Sequence, residues 1–377
     1  MSKPSAIVIG AGIVGLSTAR ALAIRGYKVS VFERSSRPVG ASIRNFGMIW
    51  PIGQPLGIMY ERAMLSRSIW KSITESAKIW HEESGSLHLA YYEDEFGVLK
   101  EFVAANEHLR DCKMLSSGEI LKLSPTVNAK GLLGGLFSRE EMIIEPRIAM
   151  MQISNYLKEK YNVNFFWDTA ITKVEEHKVR SGKFKWRADE IYICSGSDFE
   201  TLYPDLYKTT EITKCKLQMM RMSCMSENQN IGASLCGGLS LIHYPSFKRC
   251  PSLPFLQARF EKEYPEYIKL GIHVMVSQNG SGDLTIGDSH EYGLTFDPFD
   301  HASINKLILD YLKTFAVIQD YQIVQNWHGI YPKMKNGQTE LIVEPEKGIT
   351  IINGLGGNGM TLSFGLCEQL ISRKFGN

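Results

Sequence analysis

Ser5-Ala6-Ile7-Val8-Ile9-Gly10-Ala11-Gly12-Ile13-Val14-Gly15-Leu16 is the stretch on which the fold turns. Ala6 to Ile9 reads as a buried strand, and Ile13 to Arg25 as a helix. Between them lies G-x-G-x-x-G. Gly10 permits a tight turn, Gly12 lets the backbone approach a pyrophosphate, and Gly15 lets the helix sit close to the strand. The first-turn N–H groups, those of Ile13 and Val14 among them, and the helix dipole then favour an anion at this point. Lys28 to Phe32 forms the next strand, and Glu33 ends it about twenty residues after the glycines, placed to accept from a ribose hydroxyl. A carboxylate there repels the extra phosphate of NADP, and Arg34 follows beside it. The pattern is an adenine dinucleotide site, and these residues alone do not separate NAD from FAD.

Outward from that turn, the chain runs to 377 residues, too long for one ordinary core, and two intertwined domains are expected. Hydrophobic residues at 44% and charged residues at 22% exclude a disordered chain. The 42 basic and 40 acidic side chains nearly cancel, which argues against a nucleic-acid surface. Seven scattered cysteines without a CxxC pair give neither a metal-ligand cluster nor a disulfide framework, so no metal is expected and the protein reads as reduced and cytoplasmic. Ser5 to Ile24 approaches the length of a membrane span, but its spaced glycines and Arg20 argue against one, and no membrane partner is expected.

Apolar spacing predicts a long helix from about Leu56 to Glu83 and another opened by Glu145-Pro146-Arg147. Strands are predicted at Val163–Trp167, Ile171–Glu176, Lys183–Arg187 and Ile191–Cys194. Residues 210–293 read as an antiparallel sheet carrying a helix or two, and Asp300–Phe315 as a helix. Strands at Gln322–Ile330, Leu341–Val343 and Ile349–Ile352 precede a glycine cluster and a last helix. The expected class is α/β plus α+β: a Rossmann-type domain from 1–85, 140–205 and 320–377, with a substrate domain from 86–139 and 206–319 inserted on a mixed or antiparallel sheet.

Three further segments point to a flavin. Gly40-Ala41-Ser42-Ile43-Arg44-Asn45-Phe46-Gly47 follows the second strand, where NAD enzymes continue the alternating sheet. Ile191-Tyr192-Ile193-Cys194-Ser195-Gly196-Ser197 ends a buried strand in small residues that admit close backbone approach. Gly354-Leu355-Gly356-Gly357-Asn358-Gly359-Met360-Thr361 makes a second helix N-terminus, suited to the negative edge of a reduced flavin.

These four motifs, with Trp327-His328-Gly329-Ile330-Tyr331-Pro332 as a variant of W-x-G-x-R-P, resemble the D-amino-acid oxidase, glycine oxidase and sarcosine oxidase superfamily over the whole chain. The resemblance implies FAD as cofactor. It places Gly10, Gly12, Gly15 and Glu33 at the ADP half, Ser42, Asn45 and Gly47 near the phosphates and ring, and Gly356, Gly357, Gly359 and Met360 at the flavin carbonyl edge. Ile13, Val14, Arg34, Ser195, Gly196 and Asn358 are further candidate cofactor contacts. It also implies oxidation of a small amine by hydride transfer to flavin N5, with hydrolysis of the imine and re-oxidation by dioxygen or another acceptor.

Two departures refine this. Tyr331 stands where the superfamily's amino-acid oxidases carry an arginine that grips a carboxylate in a bidentate pair. No cysteine lies between Trp327 and Asn353, the strand on which sarcosine oxidases attach flavin, so non-covalent FAD is expected. The segments RNFGMIWPIGQP, KLQMMRM and WHGIYPK also resemble a bacterial subgroup associated with phosphonate breakdown. That resemblance implies 2-aminoethylphosphonate or its N-methyl form as substrate. Arg44, Lys216, Arg221 and Lys333 are then candidate partners for the anion, and Trp50, Tyr244, Trp327 and Tyr331 candidate pocket walls. No catalytic base is required, and His243, His273, His290 and His328 read as structural or substrate-orienting. The competing readings are a D-amino acid, glycine or sarcosine oxidase, an FAD dehydrogenase of a hydroxy acid or glycerol phosphate, an NAD dehydrogenase, and a flavin-binding protein without catalysis.

Overall fold

Strand Ser5–Ile9 sorts its side chains by parity: Ala6 and Val8 join one core, Ile7 and Ile9 another. A strand apolar on both faces belongs inside a covered parallel sheet, and the computed structural model, which describes residues 3–224 and 230–375, places it there. Six strands run in the order Leu341–Glu346, Ile349–Asn353, Glu190–Ile193, Ser5–Ile9, Lys28–Phe32 and Asn164–Phe166. All neighbours are parallel except the antiparallel edge pair Leu341–Glu346 and Ile349–Asn353. Helices Ile13–Ala23, Ile58–Ala77, Pro146–Tyr161 and Gly359–Arg373 supply residues to the core on one face. On the other face lies a three-stranded meander, Lys173–Glu175, Lys178–Ser181 and Phe184–Arg187, whose Val179 is fully buried.

The second sheet has nine strands. Its path is Glu291–Gly293, Ile212–Cys224, Leu284–Gly287, Met275–Gln278, Ser234–Cys236, Ser86–Ala90, Gly134–Ser138 and Cys112–Ser116, with Tyr321–Met334 antiparallel to Ile212–Cys224. It is mixed, because Ser234–Cys236 and Ser86–Ala90 are parallel. The largest core lies against it, built partly by helices Glu93–Asn106, Leu253–Glu263 and Ala302–Phe315. The expected class, a Rossmann-type sheet together with a mixed sheet, is therefore present.

Several boundaries differ from those predicted. The helix expected over Leu56–Glu83 stops at Ala77, where Lys78 turns left-handed at φ 52°, and His81–Glu82 becomes a short strand. Strand Lys178–Ser181 lies between two predicted ones and was too short and polar to show a pattern. Tyr321–Met334, grouped by sequence with the nucleotide-binding segments, pairs along its length with Ile212–Cys224 and so belongs to the large sheet. Among the described residues no disulfide is present. Among the described residues no helix is long and apolar enough to cross a membrane; Ser5–Ile24 is a strand, a turn and an 11-residue helix.

Candidate active site

The glycine turn is held from three directions. Gly10 takes φ +101°, donates its N–H to Phe32 O at 2.8 Å, and leaves no room for a side chain, since a Cβ would stand 2.4 Å from Cys194 O. Gly15 packs its α-carbon on the turn itself, where a Cβ would lie 1.8 Å from Gly10 O. Gly12, by contrast, faces space: a Cβ there would meet only Ser42 Oγ, at 3.1 Å. The helix has no side-chain cap of its own, and Ile13 N–H donates instead to Ser42 Oγ at 2.9 Å. Glu33 Oε2 accepts from Ala11 N–H at 2.9 Å and Oε1 from Ser35 N–H at 3.1 Å. The carboxylate thus spans the turn and keeps lone pairs for further donors.

This turn lines a cavity of about 1250 Å³ that continues to the large sheet. Pockets for drug-sized ligands run to roughly 300–1,000 Å³, so the space suits a dinucleotide with a small substrate beside it. Near the turn, Val14 and Arg34 also reach the wall, the latter ion-paired to Asp198 at 2.6 Å. Ser195 and Gly196 line it from the end of Glu190–Ile193, with Gly196 at φ +59° and its carbonyl accepting from Asn353 Nδ2. Farther along, Gly356, Gly357, Asn358, Gly359 and Met360 form its floor. Asn358 precedes helix Gly359–Arg373 without a capping hydrogen bond from its side chain, which instead accepts from Gln54 Nε2 at 2.9 Å. Two helix N-termini lacking caps of their own therefore open on one cavity, the donor arrangement a dinucleotide with an electron-rich ring requires.

Not every predicted residue faces this space. Gly47 is off the wall; at φ +74° it packs where a Cβ would stand 2.1 Å from Ile144 O. Gly15 is likewise a packing residue. Asn45 lines the cavity, yet its amide is consumed by its own loop, donating to Ala41 O and Ser42 O and accepting from Gly47 N–H.

Of the substrate-pocket candidates, Arg44, Trp50, Tyr244, Tyr331 and Lys333 line the cavity. Arg44 Nη1 donates to His328 O at 3.2 Å, and Lys333 Nζ to the Tyr292 hydroxyl at 2.9 Å. Burial holds the Tyr331 hydroxyl well above the usual tyrosine range, so it stays protonated as a neutral donor. Lys216, Arg221 and Trp327 do not line it. Strand parity explains the first: Leu217 and Met219 face the cavity, so Lys216 points to the other face, where Nζ meets Asp297 O, Phe299 O and Asp300. Arg221 shares the cavity parity but lies past its edge, paired with Glu145 at 2.9 Å. Trp327 is covered by the Arg147 guanidinium at 4.7 Å.

The structure adds a cluster. His243, His273 and His290 line the cavity together with Asp288, Met275 and Tyr292. Burial, reinforced by the neighbouring imidazoles, keeps His243 and His273 well below the ordinary histidine range, and burial takes His290 to about 4. Burial likewise pushes Asp288 well above the usual carboxylate range. His328, the fourth histidine, is outside, 2.9 Å from Asp300. No local spacing links positions 243, 273 and 290. Sheet pairing brings them together.

A cavity lined by a dinucleotide turn at one end and by a mixed sheet at the other defines a two-sheet oxidoreductase. The family model described as FAD dependent oxidoreductase (DAO) matches residues 5–373, and the chain belongs to that family. FAD is its cofactor, and the NAD reading is set aside. The chain is similar to a glycine oxidase of Bacillus licheniformis, 24% identical over 384 residues, covering 98% of this chain and 93% of that protein. Its fold matches the crystal structure of glycine oxidase from Geobacillus kaustophilus, with a TM-score of 0.78 at 18% identity, over 99% of this chain and 95% of that one. It also matches L-proline dehydrogenase from P. horikoshii, with a TM-score of 0.79 at 18% identity, over 98% and 93%.

Proposed function

We propose that this enzyme oxidises the C–N bond of a small amine whose acidic group is a phosphonate, 2-aminoethylphosphonate or its N-methyl form, rather than an α-carboxylate. Tyr331 carries the second half of this reading. It sits on the cavity wall, buried to 7% exposure, at the position where the resemblance to amino-acid oxidases implies an arginine for carboxylate substrates. One neutral hydroxyl does not replace a bidentate cation, and burying an unpaired carboxylate costs several kcal/mol. The Lys and Arg side chains on the wall among the described residues are Arg34, Arg44, Lys248 and Lys333. Arg34 lies beside Glu33, which leaves Arg44, Lys248 and Lys333 for a substrate anion.

Bound FAD supplies the two-electron acceptor for the substrate's α-C–H. The chain's own part is to hold and align. Gly10 and Gly12 bring bare backbone to the pyrophosphate, the first turn of Ile13–Ala23 provides donors, and Glu33 accepts from the ribose. The N-terminus of Gly359–Arg373 offers positive potential where reduction accumulates charge. Trp50 and Tyr244, with rings 6.3 Å apart, supply an apolar wall that displaces water from the substrate amine. With no cysteine between Trp327 and Asn353, FAD is held without a covalent bond, so acid precipitation should leave flavin in the supernatant.

The test is anaerobic flavin reduction by a panel of amines. 2-Aminoethylphosphonate or its N-methyl form should exceed glycine, sarcosine and D-alanine by ~10²-fold, from about 2–3 kcal/mol for the mispaired carboxylate. The Bacillus licheniformis glycine oxidase supports the second reading, a glycine or D-amino-acid oxidase. Equal or faster reduction by glycine or D-alanine would establish that one instead. Peroxide formation in air separates dioxygen from other acceptors.

A further inference from the structure

We infer that His243, His273 and His290, with Asp288 behind them, form a binding site for one divalent transition-metal ion of the zinc, cobalt or nickel type. One ring nitrogen from each histidine lies within 4.8 Å of the other two. Imidazole nitrogens sit about 2.0–2.1 Å from such ions, so ligands at tetrahedral angles are roughly 3.4 Å apart, and the rings need close by about 1.4 Å at most. His243 can make that movement. It ends helix Leu239–His243, borders the cavity, and among the described residues has no hydrogen-bond partner for its ring. Its ring now lies 3.7 Å from that of His273, tilted by 34°.

The other two ligands are fixed. His273 and Asp288 pair their backbones in both directions, His273 N–H to Asp288 O at 3.3 Å and Asp288 N–H to His273 O at 2.9 Å. His290 Nδ1 lies 2.9 Å from Gly271 O; donating there, it leaves the Nε2 lone pair for a ligand. Metal-bound histidines are commonly oriented in this way by a second hydrogen bond.

A second, independent observation points to a cation. His273 Nδ1 and Asp288 Oδ1 are buried polar atoms with no hydrogen-bond partner, on residues 3% and 5% exposed. Asp288 Oδ1 stands 3.0 Å from His273 Nε2 but out of line for a hydrogen bond, and Oδ2 lies 4.0 Å from His290 Nε2. Two imidazoles and a carboxyl group converge their lone pairs on this spot, which suits a bound cation better than an anion. Brought into line, the 3.0 Å approach of Asp288 Oδ1 to His273 Nε2 would complete the carboxylate–histidine–metal arrangement, with Asp288 as the positioning residue and His273 Nδ1 as the ligand. The opposing charge is Lys333, whose Nζ is held by the Tyr292 hydroxyl. Three protein ligands leave coordination positions open towards the cavity.

The experiment uses the FAD-loaded enzyme, stripped with chelator and titrated with Co(II) and Zn(II) alone. One equivalent of Co(II) should give d–d absorption beyond the flavin bands, and Zn(II) should displace it. His273→Ala and His290→Gln should each weaken Zn(II) binding by at least ~100-fold. Asp288→Asn should weaken it by about 10–100-fold, the range for a supporting carboxylate, and Lys333→Met should tighten it. Should a variant fold poorly, the cobalt spectrum of the unmodified enzyme still decides. Absence of a d–d band, or zinc affinity unchanged in the folded histidine variants, would overturn the assignment whatever the substrate proves to be.

Discussion

At one end of the cavity the wall is main chain, the bare turn at Gly10 and Gly12 and the first turn of helix Ile13–Ala23; at the other it is side chain, with Tyr244, Tyr331, Lys333 and the three histidines. The first end depends on atoms every residue carries and on the absence of side chains, so its tolerance is set by sterics. The second depends on which polar groups face each other, so its tolerance is set by charge and pairing. Substitutions should divide accordingly, with steric failures at the glycines and selectivity changes at the large sheet.

The largest effect is expected at Gly15. A valine there pushes its Cβ into Gly10 O, and Gly15→Val should cost at least about 3 kcal/mol, the upper end of overpacking costs, read from thermal unfolding of the flavin-free protein. Gly12→Val sharpens the contrast. It should melt close to the unmodified protein without flavin, because its neighbour is only the Ser42 hydroxyl, yet fail to retain FAD on gel filtration. If both variants unfold alike, the distinction between packing and ligand-facing glycines fails.

At the opposite end, Tyr331→Arg tests the proposed choice of acidic group by adding a cation able to pair with a carboxylate. Relative to 2-aminoethylphosphonate, glycine or D-alanine should gain on the order of 10²-fold in flavin reduction, about 2–3 kcal/mol for a charge-assisted pair. An unchanged ratio would mean that the residue at 331 does not choose the acidic group. Glu33→Gln should weaken FAD binding by about 1–3 kcal/mol, because ribose hydroxyls lose a charged acceptor. The smallest effect belongs to Arg34, whose partner is the exposed pair with Asp198. Arg34→Ala should change FAD affinity by less than about 1 kcal/mol, and a larger loss would show direct contact with the dinucleotide.

The same contrast explains what the sequence made legible. The glycine turn, its strand and helix, and Glu33 are contiguous, so spacing alone reports them. The final glycine segment is readable for the same reason. The face that Lys216 takes is not legible because KLQMMRM buries both parities: Met219 and Met220 are each fully buried, one towards the cavity and one in the large core, so the pattern does not say which face is which. Gly47 resembled a cofactor contact because a bare backbone position can serve either a ligand or a neighbouring strand, and here it serves Ile144. The histidine cluster was hidden for a third reason. His273 and His290 flank neighbouring antiparallel strands, Met275–Gln278 and Leu284–Gly287, while His243 arrives from a separate helix, so only the registered sheet brings the rings together.

Glu33 bears on how the flavin is loaded. Its two oxygens tie Ala11 to Ser35 across the turn, so the binding loop is braced by the chain's own groups. A ligand entering such a loop forfeits little of its affinity to ordering the chain. Flavin removal should therefore be reversible, with the stripped protein regaining FAD without refolding around it.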